Sequence, residues 1–575
     1  MIRLRQRRSI ALAILVVALA LVAAACSSSD DADDTTTTTA AAPEAATTTA
    51  ATEESAEPAK PAEPVAPPSE VGETLSGLTV VDDLTFTVEL SVADPEFKLR
   101  TASPAFFPLP TVAYANTYAY NEAPIGNGPF MFDEGVKWEH DVSIDLIRNP
   151  DYQGDDVASL DAINFVITTD PKTDYLDTLD GNLDILDNID VDFLASAPTD
   201  FPDRYGESPN TGIGYLAFPS YLNDTFTKEH RQAMNMAIDK QLIMDKIFNG
   251  SRDPAHSVVP PNLGGRDDVC PSWNYDADAA KELWDAAGPI DEFAVWFNEG
   301  GGHEEWVGAI VNMWVNVLGV DASKITFETR PWADYLSTIQ GGDGTGPFRL
   351  GWGLDYPSPL NFLEPLYASY STPEDGGSNS SYYNNPAFDA GIAEGKAAIA
   401  ASGNLADALP FYEAAEDVLC DDGSSIPVYF SVNQFAWNDT VSDVLMDAFG
   451  NVRFTSVKAD SGVASLPLTE PVALLPMDVL ESEGNQVTQN TLFTGLVSFT
   501  PDNVETSGNA ESFSTDDGGK TWTVVLKDGW TFHNGEPVTA QSYVDAWSFG
   551  AVSAYGFQNN FYYSGIAGFN ELNAE

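Results

Sequence analysis

The composition of this 575-residue chain breaks near residue 75, and that break decides how much of it can fold. Residues 27–70 are almost entirely Ser, Thr, Ala, Pro, Asp and Glu, with TTTTTAAAPEAATTTAATEE at their heart and no aromatic residue. Such a segment cannot bury enough apolar surface to offset chain entropy. A tether is therefore predicted over 27–73, stiffened by prolines from Pro58 onward. From Leu75 the pattern turns globular. In LTFTVEL, Leu84, Phe86, Val88 and Leu90 alternate with Thr85, Thr87 and Glu89, as in a half-buried strand.

Ahead of the tether stands an export signal. Arg3, Arg5, Arg7 and Arg8 make a cationic start, Ile10 to Ala25 is an uncharged apolar run, and Ala23, Ala24 and Ala25 precede Cys26. The run is shorter than the roughly 20 residues of a spanning helix. VAAAC resembles a bacterial lipobox, with Ala23 where leucine is usual. That resemblance implies a lipoprotein signal peptide over 1–26, with Cys26 as the lipidated residue. An uncleaved membrane anchor is the alternative.

Charge narrows the function. Against 87 Asp+Glu stand 26 Lys+Arg, a formal net charge of −61. Loss of residues 1–25, which carry four arginines and no acid, takes this to −65. Binding to nucleic acid or to anionic lipid by the folded body is excluded on electrostatic grounds. The excess fits a solvated surface, adaptation to salt, or a taste for cationic ligands. Three cysteines and five histidines, none in a His-x-x-x-His pattern, predict no metal site and no cofactor. There is no G-x-S-x-G for a serine hydrolase. A glycoside hydrolase needs two facing carboxylates, and no local signature points to such a pair.

Strands are predicted over 143–147 and 163–168, and a hairpin over 511–526. Helices are predicted over 227–248, 276–287, 304–318 and 405–419. The class is mixed α/β.

Eight segments in order carry a specific resemblance: APIGNGPFMF (123–132), IRNPDYQG (147–154), GNLDIL (181–186), RQAMNMAIDKQLI (231–243), YDADAAKELWDAAG (275–288), GWGLDYPSPLNFLEPLY (351–367), YYNNPAFDAGI (382–392) and IPVYF (426–430). The chain resembles the peptide/nickel-type (family 5) extracytoplasmic solute-binding proteins of ABC transporters, over nearly all of 76–575. The family's opening motifs come last here, as LFTGLVSFTP (492–501) and the stretch 516–549. The order reads as a circular permutation, with 471–575 belonging ahead of 76–460, or as an error of gene assembly.

The resemblance implies a periplasmic-binding-protein-like two-lobe clamp with an additional third lobe, closing by hinge motion. It implies main lobe I from 128–265 with 435–498, main lobe II from 266–434, and the extra lobe from 74–127 with 499–575. Gly126, Asn127 and Gly128 are the expected hinge, a plain turn being the other reading. The implied function is capture of peptides for an ABC importer, by a monomer that meets the membrane only through its lipid anchor and works at the outer face. Nickel chelates or haem are alternative cargoes. The family's W-x-x-D-Y segment implies that Asp355 pairs with the peptide ammonium. Gly351, Trp352, Gly353 and Tyr356 are then the expected ligand neighbours. If Cys26 is lipidated, Cys270 and Cys420 remain as a pair for a disulfide.

Overall fold

In the computed structural model, residues 72–574 are described, apart from 376, 448, 480, 490, 501 and 502. Cys26 and the 27–71 stretch lie outside the described residues. Among the described residues, no helix is long and apolar enough to cross a membrane.

A seven-stranded sheet runs in the order Ile325–Arg330, Phe293–Asn298, Phe348–Trp352, Tyr205–Ala217, Ser425–Trp437 and Ile185–Leu186, with Arg252–Pro254 also paired to Ser425–Trp437. Phe293–Asn298 is buried at every position, because apolar cores form on both faces of this sheet. Trp273, Phe362 and Tyr412 belong to one core and Met234, Trp306 and Trp314 to the other. Tyr205–Ala217 and Arg252–Pro254, expected in lobe I, hydrogen-bond within this sheet to strands from 266–434. Sheet and core thus continue across residue 265, where the sequence suggested a boundary.

Two strands in this sheet are 13 residues long, Tyr205–Ala217 and Ser425–Trp437. They pair along most of their length, with register shifts at Pro427/Tyr429 and Phe430/Val432. Their far end reaches Ile185–Leu186. There the Asp184 carboxylate accepts from Ser465 N (2.8 Å), on the strand Val463–Leu468. That strand opens a second sheet, continued by Ala162–Ile167, Ser143–Arg148 and Phe130–Met131. The long pair is the link between the two sheets.

A third sheet is assembled from the two ends of the described chain, in the order Leu78–Asp82, Thr85–Glu89, Thr521–Leu526, Ala510–Ser514. The predicted hairpin is present, and the strand predicted over 84–90 pairs with it, Trp522 opposite Val88 and Val524 opposite Phe86. The helix Ala540–Gly550 covers one face, packing Tyr543 and Trp547 against Phe86. Leu75 N donates to Ser548 Oγ (3.1 Å) and Gly77 N to Ala567 O (2.8 Å).

The predicted helix over 227–248 is two helices, Lys228–Met236 and Lys240–Lys246. Apolar periodicity runs through both, but Asp239 caps the second by accepting from Leu242 N. The 304–318 helix is α-helical over Glu304–Met313 and then widens to a π-turn over Trp314–Leu318. Cys270 and Cys420 are joined by a disulfide, Cα to Cα 6.1 Å.

Candidate functional site

The strand Phe348–Trp352 pairs along its length with Ile213–Ala217 on one side. On its other side Phe348 alone pairs, with Trp296. The second edge of the strand is therefore free of a strand partner as it approaches Gly351, Trp352 and Gly353. Such an edge can add an extended peptide by main-chain hydrogen bonds. A Cβ on Gly353 would meet nothing within 4 Å, and one on Gly351 would come 3.2 Å from Ile213 O.

This edge runs into a cleft of about 390 Å³. Segments far apart in sequence meet there: Ser103 and Pro104; Thr211 of the long strand; Gly351 to Asp355; Asn451, Asn485 and Gln489; and Asn559 with Tyr562. Of the five residues singled out for the ligand, Gly351, Trp352, Gly353 and Asp355 line it. Tyr356 does not. Its ring is 1% exposed, under the Arg100 guanidinium at 4.4 Å from the ring centroid. One residue beyond Asp355 the chain has turned into the core, so Tyr356 serves packing.

Asp355 is fixed from two directions. Asn361 Nδ2 donates to its Oδ2 (2.8 Å), while Asp355 N donates to Asn361 Oδ1 (2.9 Å). Tyr562 OH donates to Oδ1 (3.1 Å), so residues 207 apart orient one carboxylate. Burial raises the carboxyl above its ordinary range. The hydrogen bonds from Asn361 and Tyr562 and the charge of Arg100 pull against that rise. Arg100 itself is engaged by Asp94, Nε to Oδ2 at 2.6 Å. Asp355 is thus an oriented carboxylate without an ion-pair partner among the described residues.

Four further polar groups on the cleft wall have no hydrogen-bond partner among the described residues: the donors Trp352 Nε1 and Asn451 Nδ2, and the acceptors Asn485 Oδ1 and Asn559 Oδ1. A buried polar group left unpaired costs about 1–3 kcal/mol, so their gathering in one cleft calls for an explanation. None of the three amides was foreseen. One signal was present: Asn485, Gln486, Gln489 and Asn490 put four amides into six positions of a strongly acidic chain.

Gly126, Asn127 and Gly128 stand elsewhere, in a seam with residues 491–494. Gly128 N donates to Leu492 O (2.9 Å). Asn127 is fully buried and exchanges two 3.0 Å bonds with the Thr494 backbone. The His533 ring braces the 126–128 side of the seam, Nδ1 accepting from Gly126 N (3.1 Å) and Nε2 donating to Gly128 O (3.2 Å). Burial depresses its pKa to about 4. Both glycines have ordinary negative φ, so they are needed for close approach rather than for a left-handed backbone. Among the described residues, no group of three His, Cys, Asp or Glu side chains is arranged to hold a metal ion.

The family model of the bacterial extracellular solute-binding proteins, family 5, matches residues 33–374 and 506–574, well over half of the chain. The chain belongs to this family. As a family 5 solute-binding protein it is a binding protein and not an enzyme. It is similar to heme-binding protein A of Haemophilus influenzae, 27% identical over 406 residues, covering 68% of this chain and 70% of the relative. It is also similar to the periplasmic oligopeptide-binding protein OppA of Salmonella typhimurium, 25% identical over 373 residues, covering 62% of this chain and 65% of the relative. The match to that relative thus falls just short of two thirds of its length. Among solved structures, HbpA2 from Haemophilus parasuis is similar at TM-score 0.56 and 24% identity, over 67% of this chain and 76% of that one. That likeness places the family 5 protein's fold among the periplasmic-binding-protein clamps.

Proposed function

We propose that this family 5 protein captures peptides outside the cytoplasm, tethered through a lipid on Cys26, and delivers them to the permease of an ABC importer. The observation that carries the reading is the inventory of the cleft. An extended peptide has a terminal ammonium, backbone N–H donors and carbonyl acceptors. The cleft has an oriented carboxylate without a counter-charge, two orphan donors, two orphan acceptors and an open strand edge. Each side supplies what the other lacks, so binding relieves the cost of the unpaired groups.

Haem is the second reading, favoured by the name of one relative. The cleft at Asp355 sets amides and hydroxyls beside apolar Leu354, Phe449 and Val479, with no His, Cys or Met. Its unpaired amide groups, which a peptide backbone can satisfy and a porphyrin face cannot, favour the peptide. Titration calorimetry with free-amine and N-acetylated tripeptides, beside a haem titration read in the visible spectrum, separates the two. Tight binding of free-amine peptides, weakened by acetylation, supports the peptide reading. A haem spectrum that saturates at one equivalent while peptides give no heat overturns it.

The hinge role of Gly126, Asn127 and Gly128, the assignment of 74–127 and 499–575 to one extra lobe, and the permuted order belong to this proposal. Pairing of Thr85–Glu89 with Thr521–Leu526 supports the last two. Peptide mapping of the native protein, with intact mass, tests the order: a product beginning with the 471–575 segment overturns the permutation.

A further inference from the structure

The cleft continues past Asp355. A second chamber of about 360 Å³ shares Phe449, Asn451 and Ser482 with the first. Its wall carries three carboxylates, Asp174, Asp187 and Glu483, and one cation, Arg252. Arg252 is held on its own side of the chamber, donating to Ser251 O (2.7 Å) beside the rings of Phe248 and Tyr429, and its single charge is outnumbered three to one. Burial raises the half-buried Asp187 carboxyl to about 6, and Glu483 and Asp174 repel it further, with no basic group among the influences on it. Asp174 is held by Thr168 Oγ1 (2.9 Å), which fixes its carboxylate without neutralising it.

An acidic wall in a protein of charge −61 proves little by itself. The second observation is Asn451, at the junction. It is 5% exposed, lines both chambers, and its Nδ2 has no acceptor. A buried N–H donor between a carboxylate at one end and three carboxylates facing a single arginine at the other asks for a carbonyl flanked by two cationic groups. A peptide with a basic side chain has that layout, and the apolar stem of lysine or arginine suits passage beside Phe449.

We infer that the second chamber receives a cationic side chain of the bound peptide, so that the protein selects lysine- or arginine-containing peptides, with Asn451 donating to a backbone carbonyl between the two ends. This rests on the peptide reading above. The side-chain cation meets an acidic wall, which favours the matched ligand and penalises an acidic one.

Calorimetry on the full chain tests it with Ala-Lys-Ala and Ala-Ala-Lys, their norleucine counterparts, and their glutamate counterparts. The better lysine peptide is expected to bind about tenfold tighter than its norleucine match, and glutamate peptides weakest. In Asp187→Asn, which keeps the side chain's size, that preference should fall to about threefold or less while norleucine peptides bind as before. The wild-type comparison stands even if the variant fails to fold. Equal affinity for lysine and norleucine peptides, with N-acetylation still weakening both, overturns the cationic chamber and leaves the peptide reading standing. No heat with any peptide overturns both. Spermidine that binds in an Asp187-dependent way while peptides do not also overturns both.

Discussion

Gly126-Asn127-Gly128 and Gly351-Trp352-Gly353 share one local pattern, two glycines around a polar or aromatic residue, yet their surroundings are opposite. A Cβ at Gly126 would sit 1.8 Å from Leu492 O, and one at Gly128 2.1 Å from Thr491 O. At Gly353 it would meet nothing within 4 Å. The first pair lets two backbones touch, and a buried histidine braces one of them by bonding to Gly126 N and Gly128 O. The second leaves a strand edge bare beside an oriented carboxylate. A G-x-G therefore reports that something comes close to the backbone, but not whether that something is the protein itself or its ligand.

The largest expected effect lies at the open site. Asp355→Asn keeps the size and most of the hydrogen bonding but removes the charge, and should weaken free-amine peptides by about 2–5 kcal/mol in calorimetry. N-acetylated peptides should lose much less. Unchanged affinity for free-amine peptides in this variant would place the anchor elsewhere. At the closed site, Gly126→Ala drives a methyl into backbone, and a loss of about 3 kcal/mol in chemical unfolding is expected, the upper end for overpacking. A loss below about 0.5 kcal/mol, the level of an ordinary surface change, would mean that the seam can part, as a hinge should.

Acid acts on the same seam. His533 has a folded pKa of about 4, below its ordinary 6.5, so the unfolded chain binds the proton more readily between these values. Its contribution is fully present above pH 6.5 and is lost as pH falls toward 4, about 3 kcal/mol in all. His533→Gln should flatten that part of the stability profile relative to the wild type, read by unfolding midpoints from pH 7 to 4. An identical slope in both proteins would remove His533 from the account. The smallest effect is expected at Gly353→Ala, with stability unchanged within about 0.5 kcal/mol and peptide binding weakened where the methyl meets the ligand. A stability loss as large as that of Gly126→Ala would erase the contrast between the two pairs.

Legibility followed the range of the cause. The strand around Phe86, the Thr521–Leu526 hairpin arm and the Ala277–Ala287 helix are written in short periodicities, and each forms where its pattern lies. The break between Met236 and Lys240 was hidden because apolar spacing continues across it while one capping aspartate does not. Asp355 was legible through its motif. Tyr562, which orients it from 207 residues away, was not.

By itself the sequence determined where a globular pattern begins, the α/β class and the family, and it put Asp355 forward as the carboxylate for a ligand's ammonium. Alternation, capping and motif spacing are local, and a chain carries them whatever it later packs against. Tertiary structure alone decided that Gly126 and Gly128 would be sealed and Gly353 left open. It also carried the seven-stranded sheet across residue 265, turned Tyr356 into the core, and brought Asn451, Asn485 and Asn559 to one cleft. These outcomes depend on which distant segments come within a few ångströms of each other. That is set by the packing of whole sheets and cores, and no window of neighbouring residues contains it.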